Sequence, residues 1–197
     1  MDPYVYPGTN VLRNLREIRD AVAFSQFEAI ATARRMAELA RNPITGNFDA
    51  SHLQAIHRYL FQEVYAWAGE FRTVNISRAG QFPFALSHQI KPSLSRLLRE
   101  LDQEYHLAKL PRASFATRAA HYLGELNAIH PFRDGNGRTQ REFIRELADR
   151  SGYALDWSRV TPKQMREASK SSFQRGDNSG LEEAIRAAIE TEPRPPA

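Results

Sequence analysis

An all-α fold around one core is what this chain predicts, and three observations carry the prediction. Apolar residues recur at helical spacing along most of the 197 positions. Only Phe71 to Ile76 alternates apolar and polar residues as a strand does. A hydrophobic content of 42% at this length is enough to bury one ordinary core, so a single domain is expected.

Leu12, Leu15 and Ile18, then Phe27, Ile30, Ala31 and Leu39, predict two helices that end near Arg41-Asn42-Pro43. This N-terminal helical segment, 1–46, packs on a core of 47–190. Asp49 or Ser51 caps a third helix that buries Leu53, Ile56, Leu60 and Val64 and stops at Gly69. A small β-hairpin follows, with Phe71 to Ile76 as one arm, Arg78-Ala79-Gly80-Gln81 as the turn and Phe82-Pro83-Phe84 as the other arm. Pro83 has no N–H for a ladder, which puts that arm at an edge. Ile90, Leu94, Leu97, Leu98, Leu101 and Tyr105 mark a long helix with Pro92 in its first turn.

The next helix runs from an N-cap near Ser114 through Phe115, Ala119, Tyr122, Leu126 and Ile129. After a loop, another starts near Arg138 with Phe143, Ile144 and Leu147 on one side. Thr161-Pro162-Lys163-Gln164 and Ser179-Gly180-Leu181-Glu182 both fit capping boxes, so two more helices follow, the last burying Leu181, Ile185, Ala188 and Ile189. Residues 191–197 read as a proline-rich tail or linker.

Composition narrows the functions. There is no cysteine, which excludes disulfides and thiolate metal sites. No apolar run is long enough to span a bilayer, and Met1-Asp2-Pro3-Tyr4 does not begin a secretory leader, so a cytoplasmic protein without a membrane partner is expected. The net charge of +4 comes from Lys and Arg scattered among acids, with no basic cluster; no direct nucleic-acid partner is expected, and the modest positive field suits an anionic nucleotide.

The chemistry concentrates in His130-Pro131-Phe132-Arg133-Asp134-Gly135-Asn136-Gly137-Arg138, followed by Arg141. A residue before proline avoids the α region, so His130 falls where a helix gives way to a loop. Gly135 and Gly137 permit a tight turn in which backbone N–H groups approach a ligand. An oxyanion in that loop would meet the N-terminus of the next helix, with Arg138 and Arg141 on one face. Taken singly, these residues are a loop histidine, a turn and a solvated arginine pair; in this order they are equipment for phosphate chemistry. His57 and His121, within helical patterns, and His52, His88 and His106, near helix ends, are expected to be solvated or hydrogen-bonded structural groups, and no zinc site is expected.

The segment 130–141 resembles the signature of the Fic family, HPFx(D/E)GN(G/K)RxxR, and matches it at every fixed position. Ile56-His57-Arg58-Tyr59-Leu60-Phe61 and Val64-Tyr65-Ala66-Trp67-Ala68-Gly69-Glu70-Phe71-Arg72 look like the helix before that family's substrate-binding flap. The resemblance implies a helical Fic domain that transfers AMP from ATP to a protein hydroxyl. His130 would be the base, Asp134 would hold Mg²⁺, and Asn136 with the N–H groups of Gly135 and Gly137 would grip the α-phosphate. Arg138 and Arg141 would clamp the β- and γ-phosphates, and Phe132 would anchor the loop in the core. Thr73, Val74, Asn75, Ile76, Ser77 and Phe82 would form the flap that pairs with the target. Phe173, Gln174 and Asp177 are candidates for the nucleobase, with a structural role as the alternative.

The same loop could transfer phosphate, UMP or phosphocholine, or serve a non-catalytic binding module; the intact Gly137-Arg138 favours AMP over the phosphate transfer of the related Doc kinases. The only inhibitory-motif match starts at Ser179, and Glu183 is followed by Ala184 instead of Gly or Asn. An inhibitory Glu is therefore expected from a separate antitoxin that competes for Arg141, as in the toxins of this class, whose targets are DNA gyrase and topoisomerase IV.

Overall fold

The computed structural model describes residues 2–77 and 82–190. Within them are seven α-helices: α1 Ala21–Leu39, α2 Ala50–Phe61, α3 Ile90–Gln103, α4 Arg112–Ile129, α5 Asn136–Arg150, α6 Pro162–Arg175 and α7 Ser179–Ala188. The expected all-α class is what is found.

Helix α4 is the hub. Phe115, Ala116, Ala119, Ala120, Tyr122, Leu123, Leu126 and Ile129 bury it on nearly every side, and α3, α5, α6 and α7 all pack against it. Small residues let the neighbours close in: a Cβ at Gly124 would stand 2.5 Å from Asn178 Oδ1. Helix α2 packs on α5, and α1 on α2. Phe143, Ile144 and Leu147 bury α5 as the periodicity predicts.

The caps show where local chemistry decides. Asp49 accepts from His52 N at 2.8 Å and starts α2, and the capping box of Thr161 and Gln164 starts α6 with Pro162 at N1. Ser179 does not cap α7: Asn178 takes that place, and Asp177 accepts from Ser179 N at 3.0 Å. The N-cap of α4 is Pro111, three residues before Ser114.

Other boundaries differ for tertiary reasons. The first of the two N-terminal helices is absent. Asn14 has a buried side chain that bonds the backbone at Leu12, Arg16 and Ile18, an arrangement that competes with a helix. Leu15 and Ile30, expected in the core, are 51% and 73% exposed, and Tyr105 lies beyond α3 at 80%. Helix α2 stops at Phe61, eight residues before Gly69, and the chain continues in turns. Phe71 to Ile76 is not a strand; among the described residues the flap holds only an isolated bridge between Ser77 and Pro83. The turn 78–81 and the tail 191–197 lie outside the described residues.

Candidate active site

The loop between α4 and α5 is shaped by its own residues. His130 caps α4 in the left-handed region, φ 49° and ψ 62°, with its N–H on Leu126 O at 2.9 Å. That conformation leaves the right-handed α region, which a following proline disfavours, and turns the chain away from the helix. Phe132 is buried and stacks on His57 with centroids 3.9 Å apart. Asn136 closes the loop by accepting from Phe132 N at 2.9 Å and donating to Phe132 O at 2.8 Å. Its side chain is buried and ties the two ends of the loop together.

Gly135 makes the turn alone. Its φ is +79°, and a Cβ there would stand 2.3 Å from Phe61. Gly137 lies inside the first turn of α5, which begins at Asn136 instead of Arg138. Thr139 is the first residue whose N–H reaches an acceptor back in the helix, Gly135 O at 3.1 Å, so the amides of Asn136, Gly137 and Arg138 form the donor end of α5.

His130 is half-buried and oriented from two sides. Nδ1 lies 3.1 Å from Asn127 O, which assigns the proton to Nδ1 and leaves Nε2 as the basic nitrogen. The Phe84 ring stacks on the imidazole at 3.8 Å and 12°, and Phe173 lies behind Phe84 at 4.8 Å. Phe173 thus supports the stack; Asp177 accepts from Ser171 and Ser179 in the α6–α7 turn, which is a structural use, and Gln174 is exposed.

Two buried groups hold this loop to the flap and to α2. Arg72 is 2% exposed and donates to the carbonyls of His130, Val74, Ala85 and Ile129 at 2.5 to 3.2 Å, while its N–H donates to Pro131 O. Burial pushes its pKa down from the ordinary arginine value, and its charge is met by carbonyls at the C-terminal end of α4. His57 is fully buried, accepts from Gly69 N at 2.8 Å through Nδ1 and donates from Nε2 to Asp134 O at 3.0 Å. Burial depresses its pKa to about 3, so the folded ring is neutral. The sequence motif contains both residues, but only the fold shows that they are buried braces. His52, also buried, reaches Glu146 at 2.8 Å, across a sequence distance that helical spacing could not register.

The charged members sit in distinct surroundings. Asp134 Oδ1 accepts from Gly135 N at 2.7 Å and Oδ2 from Tyr65 at 3.3 Å. Arg138 pairs with Glu28 at 2.7 Å, donates to Thr32 at 3.0 Å and lies over the Phe61 ring at 4.7 Å. Arg141 is half-buried with no carboxylate at ion-pair distance among the described residues. Burial and the like charge of Arg138 lower its pKa, so an incoming anion is favoured there.

The flap residues Thr73, Val74, Asn75, Ile76, Ser77 and Phe82 run beside His130 as an open strap. Tyr4 bonds Thr73 at 3.2 Å, Asn75 Oδ1 accepts from Ser87 N at 2.8 Å, and Phe84 N donates to Ile76 O at 3.2 Å. Phe82 is 77% exposed. The demands of Arg72 on the carbonyls of Val74 and Ala85 account for the missing ladder.

A sequence model described as the Fic/DOC family matches residues 47–148. The chain is 43% identical to the protein adenylyltransferase VbhT of Bartonella schoenbuchensis, covering 93% of this chain and 38% of VbhT. It is 40% identical to the probable protein adenylyltransferase y4lH of Sinorhizobium fredii, covering 95% of this chain and 96% of that protein. Among solved structures, it superposes on BepC of Bartonella tribocorum with bound AMPPNP at a TM-score of 0.91, with 29% identity and 97% of each chain covered. The N-terminal Fic domain of a putative cell filamentation protein from Bartonella quintana, with bound ADP, gives 0.92 at 30% identity, covering 98% of this chain and 95% of that one.

Two expectations follow from the braces. Arg72→Met leaves four carbonyls, that of Ile129 buried and the others half-buried, without their donor and should cost about 2 to 4 kcal/mol in denaturant unfolding; a loss under about 0.5 kcal/mol would show that water replaces the guanidinium. For His57, the unfolded ring takes a proton below about 6.5 while the folded ring stays neutral to about 3. Its stabilising contribution is therefore complete above 6.5 and lost as pH falls, by up to about 1.4 kcal/mol per pH unit. His57→Gln should flatten the stability profile between about pH 6.5 and 3; parallel profiles for the two proteins would assign the acid loss to other groups.

Proposed function

The chain belongs to the Fic/DOC family, and from that premise we propose that it transfers AMP from ATP to a Tyr, Ser or Thr hydroxyl of a target protein. The observation that carries this reading is the signature loop, in which a histidine with Nδ1 committed to a backbone carbonyl is followed by the donor end of α5, the helix that carries both arginines. The names of the relatives, protein adenylyltransferases, support the same activity.

The residues divide the work. Nε2 of His130 takes the proton of the attacking hydroxyl. The hydroxyl oxygen bonds to the α-phosphorus, the bond from that phosphorus to the α–β bridging oxygen breaks, and pyrophosphate leaves with the electron pair. Backbone amides at the start of α5 meet the charge that develops on the α-phosphate oxygens. Arg138 and Arg141 hold the β- and γ-phosphates, and so fix which phosphorus faces the hydroxyl. Asp134 fits a magnesium site, since that ion needs one or two carboxylates with phosphate oxygens and water completing its shell; when bound it neutralises charge between the α- and β-phosphates. No group of three or more metal-ligating side chains exists among the described residues, as that mode of binding requires none.

The finer reading makes the protein a cytoplasmic toxin of bacteria that modifies a type II topoisomerase, gyrase or topoisomerase IV, and is restrained by an antitoxin. Arg141 supports the separate inhibitor, because no carboxylate of this chain meets it among the described residues. Glu183 is exposed on α7 and makes no ion pair with it. No helix of the described residues is long and apolar enough to cross a membrane.

Incubation with labelled ATP and purified gyrase or topoisomerase IV, followed by mass spectrometry, tests the transfer; an added phosphate instead of AMP would assign the reversed nucleotide. His130→Ala should lower the rate about 10²- to 10⁴-fold with nucleotide affinity nearly unchanged, and a wild-type rate would remove His130 from the base role. Asp134→Ala should abolish the part of nucleotide affinity that depends on magnesium.

The strap also sets a test of target docking. Its backbone could pair with an extended target segment by β-augmentation. Ile76→Pro deletes one donor and should impair target modification far more than ATP binding; normal modification by that variant would place recognition elsewhere. Asn75→Pro is a poorer probe, since it also removes the bond to Ser87.

A further inference from the structure

Helix α1 lies outside residues 47–148, the segment matched by the family, yet one face of it enters the phosphate site. Glu28 and Thr32 are one helical turn apart and so share that face. Arg138 donates to Glu28 Oε1 at 2.7 Å and to Thr32 Oγ1 at 3.0 Å, and its guanidinium lies over Phe61. Thr32 is itself fixed by donating to Glu28 O at 2.8 Å. The Tyr65 hydroxyl stands 3.2 Å from Glu28 Oε1 and 3.3 Å from Asp134 Oδ2. One carboxylate therefore touches the guanidinium proposed to hold phosphate, and shares with Asp134 the single proton of one hydroxyl that lies within reach of both.

We propose that Glu28 is a positioning residue of the nucleotide site, which fixes Arg138 for phosphate and, through Tyr65, fixes Asp134 relative to Arg138. The inference rests on the AMP-transfer reading and deepens it by making α1 part of the site. A brake is the competing role for a glutamate beside such an arginine. Geometry favours positioning. A guanidinium has five N–H donors, α1 uses two, and stacking on Phe61 uses none, so three remain for phosphate while Glu28 keeps its hold. Glu28 meets one nitrogen only and does not occupy the fork as a competing anion would. A brake has no need of the link to Asp134, whereas a positioning residue gains from it: both groups that would face the phosphates are held by one side chain, and their disorder is removed before ligand arrives.

The test uses the full chain, with magnesium and ADP as the calorimetric probe and AMP transfer to the target as a second readout. Glu28→Ala should weaken Mg·ADP binding about 10- to 100-fold and lower kcat with it, and Glu28→Gln, whose carbonyl still accepts from Arg138, should recover most of the loss. Tyr65→Phe should raise the magnesium concentration needed for half-saturation and leave metal-free ADP affinity unchanged, a split that mere loss of stability does not give. Thr32→Val repeats the Arg138 test if Glu28→Ala does not fold. Tighter ADP binding or faster transfer in Glu28→Ala would establish a brake and overturn the proposal, and so would wild-type affinity. If the wild-type chain binds no Mg·ADP, the AMP-transfer reading itself fails; if it binds and the Glu28 and Thr32 variants match it, only this inference falls.

Discussion

The buried guanidinium of Arg72 is the constraint on which the rest of the site depends. Helix α4 must end abruptly to free His130, and an abrupt end leaves carbonyls with no partner in the helix. Arg72 takes those of Ile129 and His130, and with its remaining donors takes Val74 and Ala85 from either side of the strap. A cation buried without a carboxylate is costly unless every donor finds an acceptor. Here the acceptors are backbone groups of three segments, so none can shift without exposing the charge to an empty space. The strap, the helix end and the signature loop are locked as one unit, and the price is the β-ladder that the alternation of Phe71 to Ile76 otherwise supports.

The same unit controls the histidine. Its proton is directed to Nδ1 by Asn127 O, and its ring plane is set by Phe84, which belongs to the strap. Anything that moves the strap therefore moves the proposed base. Behind the loop, neutral His57 bonds Gly69 on one nitrogen and Asp134 O on the other, and stacks on Phe132. A charged side chain could not serve there: the surroundings are apolar, and the pair of bonds needs one donor and one acceptor on separate atoms of one ring, which neutral imidazole provides. The catalytic-looking and the structural histidine differ only in what surrounds them.

That difference explains what could be read from sequence. Local signals were sufficient for the starts of α2 and α6, where Asp49 and the Thr161 box act within a few residues. They also placed Gly135 at a turn and Phe132 in the core. They failed where a distant group outbid the local preference. Asn14 binds its own backbone and removes a helix that Leu12, Leu15 and Ile18 seemed to write. Arg72 removes the strand. Asn136 also ties the loop across itself, a structural use that the motif alone does not show. Glu28 and Thr32 carry no motif at all, and their approach to Arg138 depends on how α1 lies on α2, which periodicity does not encode.

The balance of charge at the loop gives these placements their meaning. Arg138 has its carboxylate from α1, and Asp134 has a hydroxyl and an amide. Arg141 has no carboxylate at ion-pair distance among the described residues, although desolvation and Arg138 both make its charge expensive. Helix α5 adds its positive end to the same region. A folded protein that retains an uncompensated cation next to a helix N-terminus keeps that energy for whatever anion arrives, and the tightness of the surrounding packing limits how far the site can relax to dissipate it. In the proposed function, a triphosphate satisfies the need with its terminal group. In the proposed scheme, so does the carboxylate of an inhibitory chain, and the two cannot do so at once. Catalysis and restraint then compete for one side chain, which ties control of the enzyme to the group that orients its nucleotide.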